Sequence, residues 1–154
     1  MPKNSLDTLL DQVAKLTGIP DLATDEEGFC LIQIDEQLDL SIEYHEDFGA
    51  VVLSITCGKL PQEPSIALLQ EILEANYYWM GSGGGTLAIN GIRRTLDLQF
   101  REPLDHLDAG HLKDLMEAMV INAEVWQQKL NAVQTPAGAS SQPEGLSSYI
   151  QQRA

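Results

Sequence analysis

Basic residues are scarce in this chain: 9 Lys and Arg stand against 23 Asp and Glu over 154 residues, a formal charge of -14. A protein that binds a phosphate backbone displaces counterions with clustered cations. Arg93 and Arg94 are the only adjacent pair here, so nucleic acid and anionic membrane are excluded as partners. Cysteine is scarce too. Cys30 and Cys57 lie in apolar, strand-like runs without CxxC spacing and read as reduced, buried small hydrophobes. No run of about 18 uncharged apolar residues is available to cross a bilayer. Ser5, Leu6 and Asp7 follow the start without the apolar stretch of a signal peptide. A cytosolic protein with no membrane insertion is expected.

Reactive constellations are missing as well. The chain has no Ser nucleophile elbow, HExxH, Walker sequence or Cys and His cluster. His106 and His111, five apart on one expected helix, are turned roughly 140° from each other and cannot share an ion. His45 ends an expected strand among Glu43, Glu46 and Asp47, the setting of a solvated turn residue. Asp25, Glu26 and Glu27 adjoin a glycine in an expected loop. No catalytic residue, metal ligand or cofactor site is assigned, and the chain is not expected to be an enzyme.

What is present is a clear alternation of periods. Leu6, Leu9, Leu10, Val13 and Leu16 recur at helical spacing, predicting a helix over 5–17 capped by Asn4 or Ser5 and stopped by Gly18. The period then falls to two. Residues 38–44 alternate Leu38, Leu40, Ile42 and Tyr44 with polar positions, and 51–57 do the same with Val51, Leu53, Ile55 and Cys57. Residues 29–35 are apolar on both faces, Phe29 and Leu31 on one, Cys30, Ile32 and Ile34 on the other. That second face must be covered by a helix of this chain or by another chain.

A helix over 66–80, capped by Ser65, carries two apolar stripes: Ile66, Leu69, Leu73, Tyr77 and Met80, then Leu68, Ile72, Ala75 and Trp79. In a domain this small a partner subunit supplies the second burial more readily than the chain itself. The glycine-rich loop 81–85 follows a helix and precedes a strand over 86–89, the reverse of a phosphate-cradling loop, and lacks its Lys. Asn90 and Gly91 mark a turn, drawn out through Arg93, before a strand over 95–101. A last helix follows Pro103, with Asp105 or Asp108 near its start and one long stripe from Leu112 to Leu130. From Gln134 the composition turns to Ser, Pro, Gly, Ala and Gln, which reads as a flexible tail. The expected organisation is a single α+β domain over 1–133 and a tail over 134–154.

The order helix, three antiparallel strands, helix, two strands, long helix in a small acidic chain resembles the class I type III secretion chaperones, the Tir chaperone family. The local likeness lies in Leu69, Gln70, Glu71, Ile72, Leu73, Glu74, Ala75 and Asn76 leading into Gly83, Gly84, Gly85, Thr86, Leu87, Ala88 and Ile89. It continues in Leu96, Asp97, Leu98, Gln99 and Phe100, and covers about residues 4–130. The resemblance implies a bacterial cytoplasmic homodimer without a cofactor. Such a protein holds the N-terminal segment of a secreted effector in extended form, soluble and ready for secretion. On that reading Phe29, Leu31 and Val52 receive the effector, and Leu69, Leu73, Tyr77 and Trp79 form the dimer interface. The alternatives are a small ligand-binding or enzymatic domain using the loop from Gly81 to Gly85, and a regulator with the same fold.

Overall fold

The computed structural model describes residues 2–134, with side chains from Ser5 onward. The chain runs α1 (Pro2–Thr17), β1 (Phe29–Ile34), β2 (Leu38–His45), β3 (Ala50–Lys59), α2 (Ile66–Ala75), β4 (Thr86–Asn90), β5 (Thr95–Pro103) and α3 (Ala109–Gln134). The five strands form one antiparallel sheet in the order β1-β2-β3-β5-β4. This is the α+β arrangement the two periodicities predict; residues 135–154, and with them the expected tail, lie outside the described residues.

The alternation of the strands decides which face is buried. Leu40, Ile42, Leu53, Ile55 and Leu98 turn to one face and join Leu6, Leu9, Leu10 and Val13 of α1 and Leu112, Met119, Trp126 and Leu130 of α3 in one core. The opposite face carries Ser41, Ser54, Gln99 and Arg101. Burying an aliphatic side chain stabilises by about 1.5–3 kcal/mol, so this single cluster dominates the stability of the domain. At Cys57 β3 gains one residue relative to β5, where the pairing passes from Thr56 with Asp97 to Gly58 with Leu96. Gly58 faces Leu130: a Cβ there would stand 3.2 Å from the leucine methyl.

Helix ends differ from the expectation in two places. α1 begins at Pro2, so Asn4 and Ser5 lie inside it instead of capping it, and it ends where Gly18 takes φ +73° and donates its N–H to Ala14 O. Asp7 is tied down by Thr24, whose N–H and Oγ1 both donate to Asp7 Oδ1, at 3.0 and 2.7 Å. α2 stops at Ala75, five residues short of the predicted end, and continues as a single 3₁₀ turn over Tyr77–Trp79. Tyr78 and Trp79 are left-handed, at φ 50° and 55°. In α3 the cap is Asp108, whose Oδ1 accepts the His111 N–H at 2.8 Å. His106 precedes it in a separate 3₁₀ turn, so the two histidines share no helix.

Candidate functional site

Both edges of the sheet carry backbone groups with no strand partner among the described residues, and at each edge one neighbouring residue takes up the outward groups of a single strand position. At β4 the Asn76 carboxamide bonds both backbone groups of Leu87. At β1 the local bonds identify which groups face outward. Phe29 N–H donates to Asp25 Oδ1 and Phe29 O accepts from Asp25 N–H, both away from β2. The alternation of an antiparallel ladder then points the N–H and C=O of Leu31 and Gln33 the same way. These form a short, open edge with no strand partner among the described residues.

Beside this edge lies an apolar groove of about 530 Å³. Ile32 and Ile34 of β1 form its floor, Thr17 and Ile19 close one end, and Met116, Val120 and Ile121 of α3 form the far wall. α1 ends at Thr17, at the edge of the groove. Its rim carries one charged group of each sign, Lys113 and Glu117, joined at 2.9 Å. Hydrogen bonding to Glu117 is the main cause that holds the Lys113 ammonium above the usual lysine range.

Of the three residues assigned to the effector, Phe29, Leu31 and Val52 all lie on the face opposite the groove. Leu31 is 72% exposed, so α1 does not cover it, while Phe29 and Val52 are half-buried. They share a row with Glu43 and Arg101, and Arg101 stands over the Phe48 ring. The edge therefore has Leu31 on one side and the groove on the other. The sequence pattern put the pocket at Phe29, Leu31 and Val52 and gave no role to Ile32 and Ile34, which are only partly buried at the groove.

Of the four residues assigned to the dimer, Leu73, Tyr77 and Trp79 are exposed and Leu69 is half-buried. Leu68 and Ile72 of α2 turn into the core, and the stripe of Ile66, Leu73, Tyr77 and Met80 turns outward, with Leu69 half-buried beside it. Leu73 and Tyr77 are each 71% exposed. Trp79, which helical spacing would bury with Leu68 and Ile72, is exposed instead, the backbone being left-handed at Tyr78 and Trp79. Ile89 of β4 and Ile92 in the turn that follows it are exposed as well.

The glycine loop 81–85 is filled by the protein's own atoms. Added Cβ atoms would collide with Ala75 at Gly81, with the Asn122 carboxamide at Gly83 and with the Phe100 ring at Gly85. Trp126 Nε1 donates to Gly81 O at 3.0 Å, and Ser82 Oγ donates to Gly85 O. The glycines allow close packing on α3 and β5. Among the described residues no three His, Cys, Asp or Glu side chains gather to hold a metal ion, and no helix is long and apolar enough to cross a membrane.

Residues 8–127 match the family described as the Tir chaperone protein (CesT) family. The chain is 32% identical over 117 residues to the Tir chaperone of Escherichia coli, spanning 75% of this chain and 73% of that protein. Its fold is shared with the ExsC–ExsE complex, at TM-score 0.71 and 18% identity over 83% of this chain and 95% of that one. The HopA1–SchA chaperone–effector complex gives 0.70 and 18%, covering 82% and 95%. With its five-stranded sheet and the match over 8–127, the chain belongs to the Tir chaperone family.

Proposed function

We propose that the chain is a type III secretion chaperone that keeps the N-terminal segment of a secreted effector extended and soluble, binding it along the β1 edge. The observation that carries this reading is the meeting, on one strand, of an open edge at Leu31 and Gln33 with the apolar groove floored by Ile32 and Ile34. An added strand gains main-chain hydrogen bonds whatever its sequence, and alternate side chains set its register. The cargo's alternate residues then face the groove on one side and Leu31, Phe29 and Val52 on the other. The role is non-catalytic, needs no cofactor and belongs to the bacterial cytoplasm.

The outward stripe of α2, with Leu69, Leu73, Tyr77 and Trp79, pairs two copies into a homodimer. An exposed patch that includes Trp, two Tyr and Met has the composition of an interface core. The charge of -14 keeps the empty protein soluble while both surfaces stand open. The rival use of the glycine loop for a ligand is disfavoured by the space its own neighbours fill.

The test is co-expression with the N-terminal segment of an effector encoded beside it, followed by capture and light scattering. A dimer that retains the segment is expected, with retention reduced at least tenfold in both Leu31→Asp and Ile34→Asp at unchanged far-UV spectra. Full retention by both folded variants would sink the β1 reading. A monomer at micromolar concentration would sink the dimer.

A further inference from the structure

We propose that the groove has a resident occupant, the segment 146–150 of the same chain, which seats Leu146, Tyr149 and Ile150 against Ile32, Ile34 and Val120 until cargo displaces it. The segment lies outside the described residues; its sequence, its reach and the size of the groove support the assignment. Within 134–154, Leu146, Tyr149 and Ile150 are the only large apolar residues, and all three fall inside five positions. Between Gln134 and this cluster stand Ser, Pro, Gly, Ala and Gln, the composition of a spacer.

The reach matches the span. α3 ends at Gln134, and Val120 of the groove wall lies fourteen residues earlier on the same helix, about 21 Å back along its axis. The twelve residues from Gln134 to Leu146 extend to at most about 40 Å, and a flexible chain of that length has a root-mean-square span of about 19 Å. A tether whose typical span equals the distance gives the highest effective concentration, in the millimolar range. Charge allows the approach. Glu144 and Arg153 cancel, so 134–154 is neutral while the rest of the chain carries the whole -14. A neutral segment is not repelled, and an apolar groove of about 530 Å³ is of the size that takes two or three side chains.

This deepens the chaperone reading and rests on it only for its consequence, competition with cargo. The test uses the full chain with a nitroxide on Ser148→Cys, Cys30 and Cys57 being buried, and isoleucine methyl labels. Broadening of the Ile32, Ile34 and Ile121 methyl signals is expected, and its loss when Leu146, Tyr149 and Ile150 are all changed to Ser. Broadening confined to Ile66, Ile89 and Ile92, or none, would overturn the proposal. So would broadening when the nitroxide and the methyl labels are on different copies, since the segment would then be the partner's. In the triple variant the N-terminal segment of an effector is expected to bind on the order of fivefold more tightly. Unchanged cargo affinity beside intact methyl broadening would overturn the groove as cargo site and leave the resident segment standing.

Discussion

Asn76 does the work of a missing strand for Leu87. Its Nδ2–H donates to Leu87 O at 3.0 Å, and the Leu87 N–H donates to its Oδ1 at 2.8 Å, so one carboxamide satisfies both outward groups at the centre of β4. Unpaired edge strands template association, and covering them is the usual remedy. Here the cover comes from the end of α2, which fixes the helix terminus to the sheet and turns the Tyr77–Trp79 segment outward. At β1 Asp25 covers Phe29 in the same manner, and the outward groups of Leu31 and Gln33 have no such cover among the described residues.

Replacing Asn76 by Ala should therefore cost more than an ordinary surface change. Two hydrogen bonds are lost and two half-buried backbone groups are left to water, a loss of roughly 2 kcal/mol. Urea melts should show it as a lower midpoint at unchanged slope. Asn76→Asp keeps the acceptor for Leu87 N–H and loses the donor, so it should fall between the two. Equal stability of all three proteins would show that the edge cap contributes nothing.

Gly83 makes the second case, in which the obstacle is a side chain that can be removed. Gly83 has φ +64°, and its missing Cβ leaves room for the Asn122 carboxamide, which itself donates to Ala118 O at 2.8 Å. Gly83→Ala should destabilise by about 2–3 kcal/mol, from the clash together with the left-handed backbone. In the Asn122→Ala background the clash disappears, and only about 1 kcal/mol of backbone cost should remain. A double-mutant cycle measures the difference as coupling. Simple additivity would mean that the loop yields without contact. Inorganic phosphate should leave the melting temperature unmoved in every variant, since the loop is closed by its own atoms.

How much of this was legible depends on which element is asked. The period of two in β2, β3 and β5 is a direct consequence of one-sided burial, so Leu40, Ile42, Leu53 and Leu98 could be assigned to the core from spacing alone. α2 misled because its apolar pattern stays helical through Met80. What ends it is tertiary: Asn76 bound to Leu87, and Gly81 packed on Ala75 and Trp126. The Leu68 and Ile72 stripe was visible as one of two, and only the fold decides which faces inward. The groove was invisible for a different reason. Ile32 and Ile34 have the spacing of core residues, and how far they are covered is set by the packing of other elements, which leaves no periodic trace in β1.

Cys57 offers a test by pH. Its thiol is fully enclosed, and burial, with the nearby Asp97 carboxylate adding to it, pushes its pKa up from 9.0 to about 12. Cys30 is raised in the same direction, mainly by burial. In the unfolded chain a thiol loses its proton near pH 9, whereas in the fold Cys57 keeps it. The folded state therefore binds more protons between pH 9 and about 12, and stability falls as pH rises across that window. The slope from this one group is about 1.4 kcal/mol per pH unit once the unfolded thiol is ionised. Below pH 9 its contribution is fully present. Unfolding free energies from pH 8 to 10.5 should fall less steeply in Cys57→Ala than in the native protein. Identical slopes would place the thiol in contact with solvent, as would its rapid reaction with a disulfide reagent at pH 8.

The β1 edge admits a substitution that separates folding from binding. In an antiparallel edge strand, alternate N–H groups face the neighbour and the open side, and proline is tolerated only where the N–H faces out. The bonds of Phe29 to Asp25 place Gln33 on the outward set, and its side chain is exposed. Gln33→Pro therefore removes a donor offered to an incoming strand while every β1–β2 hydrogen bond is kept, and the fold should lose no more than about 1 kcal/mol. Ile32 belongs to the other set, so Ile32→Pro removes a ladder bond and a core contact and should unfold the strand. If cargo adds to β1, Gln33→Pro should weaken capture of an effector's N-terminal segment by at least roughly tenfold. That loss combines a hydrogen bond with the steric bulk of the ring against the added strand. The dimer should persist, because the α2 surface is untouched. A folded Gln33→Pro protein that captures cargo with native affinity would show that binding uses side-chain surface alone, and the groove would then have to account for affinity without the edge.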